Sequence, residues 1–274
     1  MVILSPPSCC DYQCGRRIAL LAATAAAASS TLAASATPSF DLVDTSITDR
    51  VFFNLGLCQS SNTPAGGRPT CSDSDSQPLG RVVIGLYGNQ VPHTTRLIKA
   101  MATGAAGSSY QGTVFHKVIQ GRYIQAGHQG SKEKGEVSPP SPDYLESNPD
   151  TVSPRSFLLR HSRPGTVSLC LAENDDDESI RLNPDYRNVQ FMITTGPGPA
   201  PDLDNRNIVF GTVLQGIDIV ASIAAMPTFK PSDRVREFNN IAQILGDVRA
   251  SNARSSWYRP VKPVLITSCG EELR

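Results

Sequence analysis

The sequence predicts a mainly β domain, a closed antiparallel barrel with helical plugs. Short β-rich runs recur from residue 51 to residue 268, separated by turns that contain Gly and Pro. Only a few stretches carry helical spacing. No internal repeat is present, so one domain is the simplest organisation.

Residues 51–57 (VFFNLGL) are β-rich and partly alternating, which predicts a strand. The long polar loop 58–80 leads to a second strand at 81–87, expected antiparallel to the first. A helix is expected over Pro92–Thr103: Pro92 suits the first turn, Leu97, Ile98 and Met101 make an apolar stripe, and Gly104 closes it. Residues 113–119 and 123–125 read as strands hinged at Gly121. The proline-rich stretch 128–156 reads as a surface excursion. Strands are expected at 166–172, 189–194, 208–213 and 263–268, with a Gly/Pro turn at 196–201. Helical spacing appears at 217–225 and again at 234–250. In the latter, Val235, Phe238, Ile241, Ile244, Leu245 and Val248 form one face, expected to dock on the barrel with Trp257 as an anchor.

Composition excludes several function classes. Lys+Arg and Asp+Glu both number 25, so the basic excess of a nucleic-acid-binding protein is absent. No apolar run after residue 40 approaches the ~20 residues of a membrane span. The four histidines, His93, His116, His128 and His161, lack metal-ligand spacing. Asp175–Asp177 lack the ligand spacing of a calcium loop and read as a solvated acidic loop. No metal and no cofactor is expected. Oligomeric state is not legible.

The N-terminus reads as an address. Arg16 and Arg17 precede an apolar run, Ile18–Ala28, and Ala34-Ser35-Ala36 is a small-residue cleavage site. Twin arginines at this place point to the route that exports folded cargo, with an ordinary secretory signal as the alternative. A chloroplast thylakoid lumen and a bacterial periplasm both fit. The lumen is preferred because residues 1–15 look like a remnant of a transit peptide. Residues 1–36 are thus a targeting segment, 37–48 a linker and 49–274 the domain. Four cysteines remain in the mature chain. Cys58 and Cys71 bracket one loop and are either a disulfide or two free thiols.

Residues 113–127 carry a more specific signal. Phe115-His116-Lys117-Val118-Ile119-x-Gly121-x-x-Ile124-Gln125-x-Gly127 resembles the FHRIIPGFMxQGG segment of the cyclophilins. Pro92-His93-Thr94-Thr95, Tyr110-Gln111-Gly112, Val189–Thr194, Ile208–Val213 and Cys269-Gly270 resemble further family segments in family order. Extra segments fall near 58–78, 131–150, 174–187 and 228–260.

The resemblance implies an eight-stranded barrel capped by two helices, with an extra helix in the C-terminal insertion. It also implies peptidyl-prolyl cis–trans isomerisation acting on proline-containing segments of lumenal or exported proteins. Carried over by position, Lys117 stands for the family's catalytic Arg, and Gln125 and Gln190 for its two glutamines. Leu203 matches the pocket leucine. Arg122, Tyr123, Met192 and Asn207 replace the pocket Phe, Met, Phe and His, and Asp202 falls near the Trp. Cys170 and Leu171 stand for the Ala-Asn pair of the peptide groove, and His116 for a buried structural His. A lysine lacks the rigid fork of Arg, and a charge at Arg122 opens an apolar pocket. Three functions fit: a slow isomerase, a silent module that binds proline-containing segments, and a scaffold working through residues 234–260.

Overall fold

Alternation along each strand decides what the sheet buries. The computed structural model describes residues 43–59, 75–254 and 256–273. The strands are β1 (Asp49–Cys58), β2 (Ser76–Leu86), β3 (Lys117–Ile119), β4 (Tyr123–Ala126), β5 (Thr166–Leu169), β6 (Phe191–Thr194), β7 (Ile208–Gln215) and β8 (Val264–Glu271). They form one eight-stranded sheet in the order β3-β4-β6-β5-β7-β2-β1-β8. Every neighbouring pair is antiparallel. The residues just before β3 also bond to β8: Ile266 N–H donates to Thr113 O at 2.8 Å and Phe115 N–H to Val264 O at 2.9 Å.

Val51, Phe53 and Leu55 of β1 and Val82, Ile84 and Leu86 of β2 enter one main core. Phe53, Tyr110 and Phe191 meet there with ring centroids 5.3–5.7 Å apart, in the edge and offset range that aromatic pairs favour. Between β3 and β4 the chain reverses at Gly121, whose φ of 73° is left-handed and costs a glycine little.

Helix α1 spans Pro92–Thr103 and ends on the left-handed Gly104, as the sequence predicts. Its N-cap residue Val91 has no side-chain oxygen to offer. The acceptor comes from far along the chain: Asp150 Oδ2 accepts from Thr94 N–H at 2.8 Å. The stretch 128–156 is therefore only partly a surface excursion. Asn148, Asp150 and Thr151 are buried, in a short 3-10 turn set against α1.

Four further helices follow among the described residues: α2 (Glu178–Arg181), α3 (Ile217–Ala224), α4 (Asp233–Ile244) and α5 (Val248–Arg254). The single helix expected over 234–250 is broken in two. Gly246 is left-handed at φ 77°, and Asp247 Oδ1 accepts from Arg249 N–H to start a new helix. The expected docking of its apolar stripe does not occur. Val235, Phe238, Ile241, Ile244 and Leu245 are all exposed, and α4 buries Asn239 alone. Trp257 is half-buried, with the Arg254 guanidinium 5.7 Å from its ring.

The targeting segment 1–36, Cys71 and most of the loop 58–78 lie outside the described residues.

Candidate active site

Four strands present a second face opposite the main core. Val118, Ile124, Ile193 and Val167 point into that core. One residue along, each strand turns a different side chain outward, because strand side chains alternate. Lys117 is paired across the β3–β4 ladder with Gln125, Gln125 across β4–β6 with Met192, and Met192 across β5–β6 with Ser168. These residues form one transverse row. Tyr123 lies two residues from Gln125 on the same face.

Tyr123, Cys170, Met192 and Leu203 close into a small separate cluster, each 2% exposed or less, with Ile119 and Ala200 against it. Four of the sequence-predicted substrate contacts thus meet one another. Burial, then the neighbouring Glu173 carboxylate, pushes the Tyr123 phenol well above its usual range, so it stays a neutral donor. Burial likewise raises the Cys170 thiol, which stays protonated and is no nucleophile.

The polar side chains of the row are held by one loop. Lys117 Nζ lies 2.9 and 3.1 Å from the two oxygens of Asp175. Gln125 is fully buried and donates from Nε2 to the carbonyl of Glu173 at 3.2 Å. Tyr123 Oη donates to Glu173 Oε2 at 3.1 Å. The acidic loop read as solvated is therefore built onto the site. Asp176 accepts from Tyr186 Oη at 2.7 Å, and Asp177 caps α2 through Ser179 N–H at 2.9 Å. The Asp175 carboxylate is itself 56% exposed, so the Lys117 pair sits at the water boundary.

At the rim, Arg122 and Asp202 form an ion pair with both side chains about half exposed. The sequence treats these as two unrelated departures from the family pattern. In space they are partners in one charge pair. Nothing local marks it, since the partners lie 80 residues apart.

Three predicted residues take other places. Gln190 is buried, with Oε1 3.2 Å from His128 Nδ1, and no hydrogen bond joins its side chain to Lys117 or Gln125. Leu171 turns into the main core. Asn207 Oδ1 accepts from Leu171 N–H at 2.8 Å and from Ala172 N–H at 3.1 Å, while Nδ2 donates to Leu203 O at 3.4 Å. Asn207 therefore ties the end of β5 to the Leu203 turn. His116 is buried as expected, its ring 5.3 Å from that of His128.

Sequence reading also missed a line that leads off the row at Ser168. His161 Nε2 lies 3.0 Å from Ser168 Oγ and His161 Nδ1 lies 2.9 Å from Asp204 Oδ1. Ser168 is fully buried, and the line acts as a brace between β5 and the turn at 204. Burial lowers the His161 pKa against the opposing pull of Asp204. Cys58 is buried and disulfide-bonded, while Cys170 and Cys269 are free.

Residues 72–271 match the family described as cyclophilin type peptidyl-prolyl cis-trans isomerase/CLD. The chain is 53% identical over 233 residues to the Arabidopsis thaliana protein "Peptidyl-prolyl cis-trans isomerase CYP28, chloroplastic", covering 83% of this chain and 82% of the relative. It is 33% identical over 190 residues to "Peptidyl-prolyl cis-trans isomerase CYP21-1" of the same plant, covering 66% and 67%. A third Arabidopsis relative, "Peptidyl-prolyl cis-trans isomerase CYP26-2, chloroplastic", is 28% identical over 218 residues, covering 72% and 66%.

Proposed function

Since the chain belongs to the cyclophilin-type peptidyl-prolyl cis–trans isomerase family, we propose that it is a slow prolyl isomerase whose site is held closed by the loop 173–177. The observation that carries this reading is the Lys117–Gln125 ladder pair, with Met192 next in the row and both polar ends bound to one loop.

Isomerisation needs the amide to lose conjugation, against a barrier of ~18–20 kcal/mol. A donor to the prolyl nitrogen acts only on the twisted form and so lowers the barrier selectively. Lys117 is that donor once Asp175 releases it. Gln125 positions the peptide. Gln190 joins it when its amide turns from His128. The proline ring takes the place that Tyr123, Cys170, Met192 and Leu203 now fill among themselves, with Arg122 and Asp202 at the rim. Leu171 and Asn207 support the groove from behind. Activity is low because three contacts of the loop must open before substrate enters.

A second reading, a silent module binding proline-containing segments, is favoured by the Arg122–Asp202 pair across the rim. NMR exchange on an X–Pro peptide with the full chain separates the two. We expect exchange that disappears in Gln125→Ala and rises in Asp175→Asn and in Lys117→Arg. Shifts at site residues without exchange in any variant overturn catalysis and leave the binding module.

The remaining assignments belong to the same reading. The hydrogen bonds from residues 113–115 to β8 support closure of the sheet into a barrel. Residues 1–36 serve as a targeting segment and 37–48 as a linker. The twin-arginine signal supports a thylakoid-lumen destination, and the chloroplastic names of two relatives support the organelle. Substrates are then proline-containing segments of lumenal proteins. The disulfide state of Cys58 supports its pairing with Cys71.

A further inference from the structure

Helix α4 buries a polar residue and exposes its apolar ones. Asn239 Nδ2 donates to the carbonyl of Ala250 at 2.8 Å, and Asn239 Oδ1 accepts from Arg254 Nε at 2.7 Å. Phe238, Ile244 and Leu245 are 72%, 85% and 79% exposed, with Val235 and Ile241 also open to solvent. Their three- and four-residue spacing gathers them toward one side of the helix. Phe229 N–H bonds to Arg259 O and Val261 N–H to Pro227 O, which brings the two ends of the insertion together. Phe229 and Val261 are exposed there as well. Exposed apolar side chains gathered within one insertion in this way mark an interaction site.

Charge selects the occupant. Residues 228–262 carry seven Lys and Arg against three Asp and Glu, a net of +4, within a chain whose net charge is zero. On α4 itself Arg234 and Arg236 are balanced by the exposed Asp233 and Glu237, so the excess lies in the rest of the insertion, with Lys262 exposed at its end. An apolar helical side carried by a net basic insertion complements a bilayer surface with anionic headgroups. The apolar side chains enter the acyl boundary and the cations stay among the headgroups. A helix of 12 residues is about 18 Å long, too short to cross the ~30 Å hydrocarbon core, so it lies in the interface. We propose that α4 docks this protein on the surface of an anionic membrane.

The test uses the full chain and two kinds of vesicle, phosphatidylcholine alone and phosphatidylcholine doped with phosphatidylglycerol. Flotation is the primary readout, and quenching of Trp257, the sole tryptophan and half-buried in the same insertion, by acyl-brominated lipid is a second. The apolar run 18–28 also has lipid affinity, so the readout is the difference between wild type and variant in flotation and in quenching. The double variant Phe238→Glu/Leu245→Glu changes exposed side chains only, and far-ultraviolet circular dichroism checks its fold. It is expected to weaken binding to the doped vesicles by about tenfold or more. Arg234→Glu/Lys262→Glu leaves the apolar residues intact and is expected to weaken binding to doped vesicles alone, as added salt does for the wild type. Equal binding of wild type and both double variants overturns the proposal, as does equal wild-type affinity for neutral vesicles. A wild type that self-associates in sedimentation, and becomes monomeric as Phe238→Glu/Leu245→Glu, overturns it in favour of a second copy of the chain.

Discussion

Helices α1 and α4 have the same length, 12 residues each, and read alike from sequence as amphipathic. Their fates are opposite. α1 has no local cap, yet it buries Thr94, Thr95, Leu97, Ile98, Ala100, Met101 and Ala102. α4 has a good local cap, Ser232 accepting from Val235 N–H at 3.4 Å, yet it buries Asn239 alone. The contrast separates two quantities that periodicity merges. Spacing identifies which side of a helix is apolar. Only the tertiary fold decides whether anything covers that side, and most helical stability comes from the cover.

The sharpest test replaces equivalent apolar residues on the two helices. Met101 is fully buried in the main core. Met101→Ala is expected to destabilise the domain by about 2–5 kcal/mol, through lost burial plus a cavity. The urea midpoint should fall accordingly with an unchanged slope. A loss below about 1 kcal/mol would mean that the main core does not anchor α1.

The next largest effect concerns the borrowed cap. Asp150 is buried and holds the N-terminus of α1 through Thr94 N–H. Asp150→Ala removes the acceptor and leaves a buried donor unsatisfied, an expected cost of about 1–3 kcal/mol in denaturant unfolding. Asp150→Asn keeps an acceptor and should recover most of that loss. Equal losses in the two variants would show that the carboxylate acts through charge instead of through the cap.

A smaller effect extends the contrast to the sheet, where His161 braces β5 against the turn at Asp204. Burial depresses its pKa below the ordinary value of 6.5, with Asp204 pulling the other way and Arg160 4.0 Å from that carboxylate. The folded state therefore favours the neutral ring, and the unfolded chain takes up the proton first. Stability is fully present above the unfolded pKa and declines as pH falls through and below it. Unfolding midpoints should drop between about pH 7.5 and about pH 5.5, and His161→Gln should flatten that part of the profile.

What the sequence reveals follows the same division between local and distant causes. The bounds of α1 are legible because Pro92 and Gly104 punctuate it. β1, β6 and β7 are legible from alternating and β-rich runs, and the row through Lys117, Gln125 and Met192 from the family resemblance. The buried 148–151 turn is not, because a run of Ser, Pro, Asn and Asp looks like solvent-facing loop until its carboxylate is seen capping α1. The Lys117–Asp175 pair bridges 58 residues and Arg122–Asp202 bridges 80, so neither has a local signature. Aligning both rim positions as spatial neighbours would have exposed the second pair. The break in the 234–250 helix was within reach, since Gly246-Asp247 joins a helix stop to a helix start.

The smallest expected effect is the other half of the first test. Ile244 is 85% exposed, so truncating it forms no cavity and removes little area that folding had taken from water. Ile244→Ala is expected to move the urea midpoint by no more than about 0.5 kcal/mol in free energy. The small value carries as much information as the large one from Met101→Ala. If Ile244→Ala costs about 2 kcal/mol, as a buried Ile would, α4 is covered by another part of the chain in solution and its exposed side is no docking surface. If it costs nothing while vesicle binding weakens, the apolar residues of α4 are kept for contact with something outside the fold.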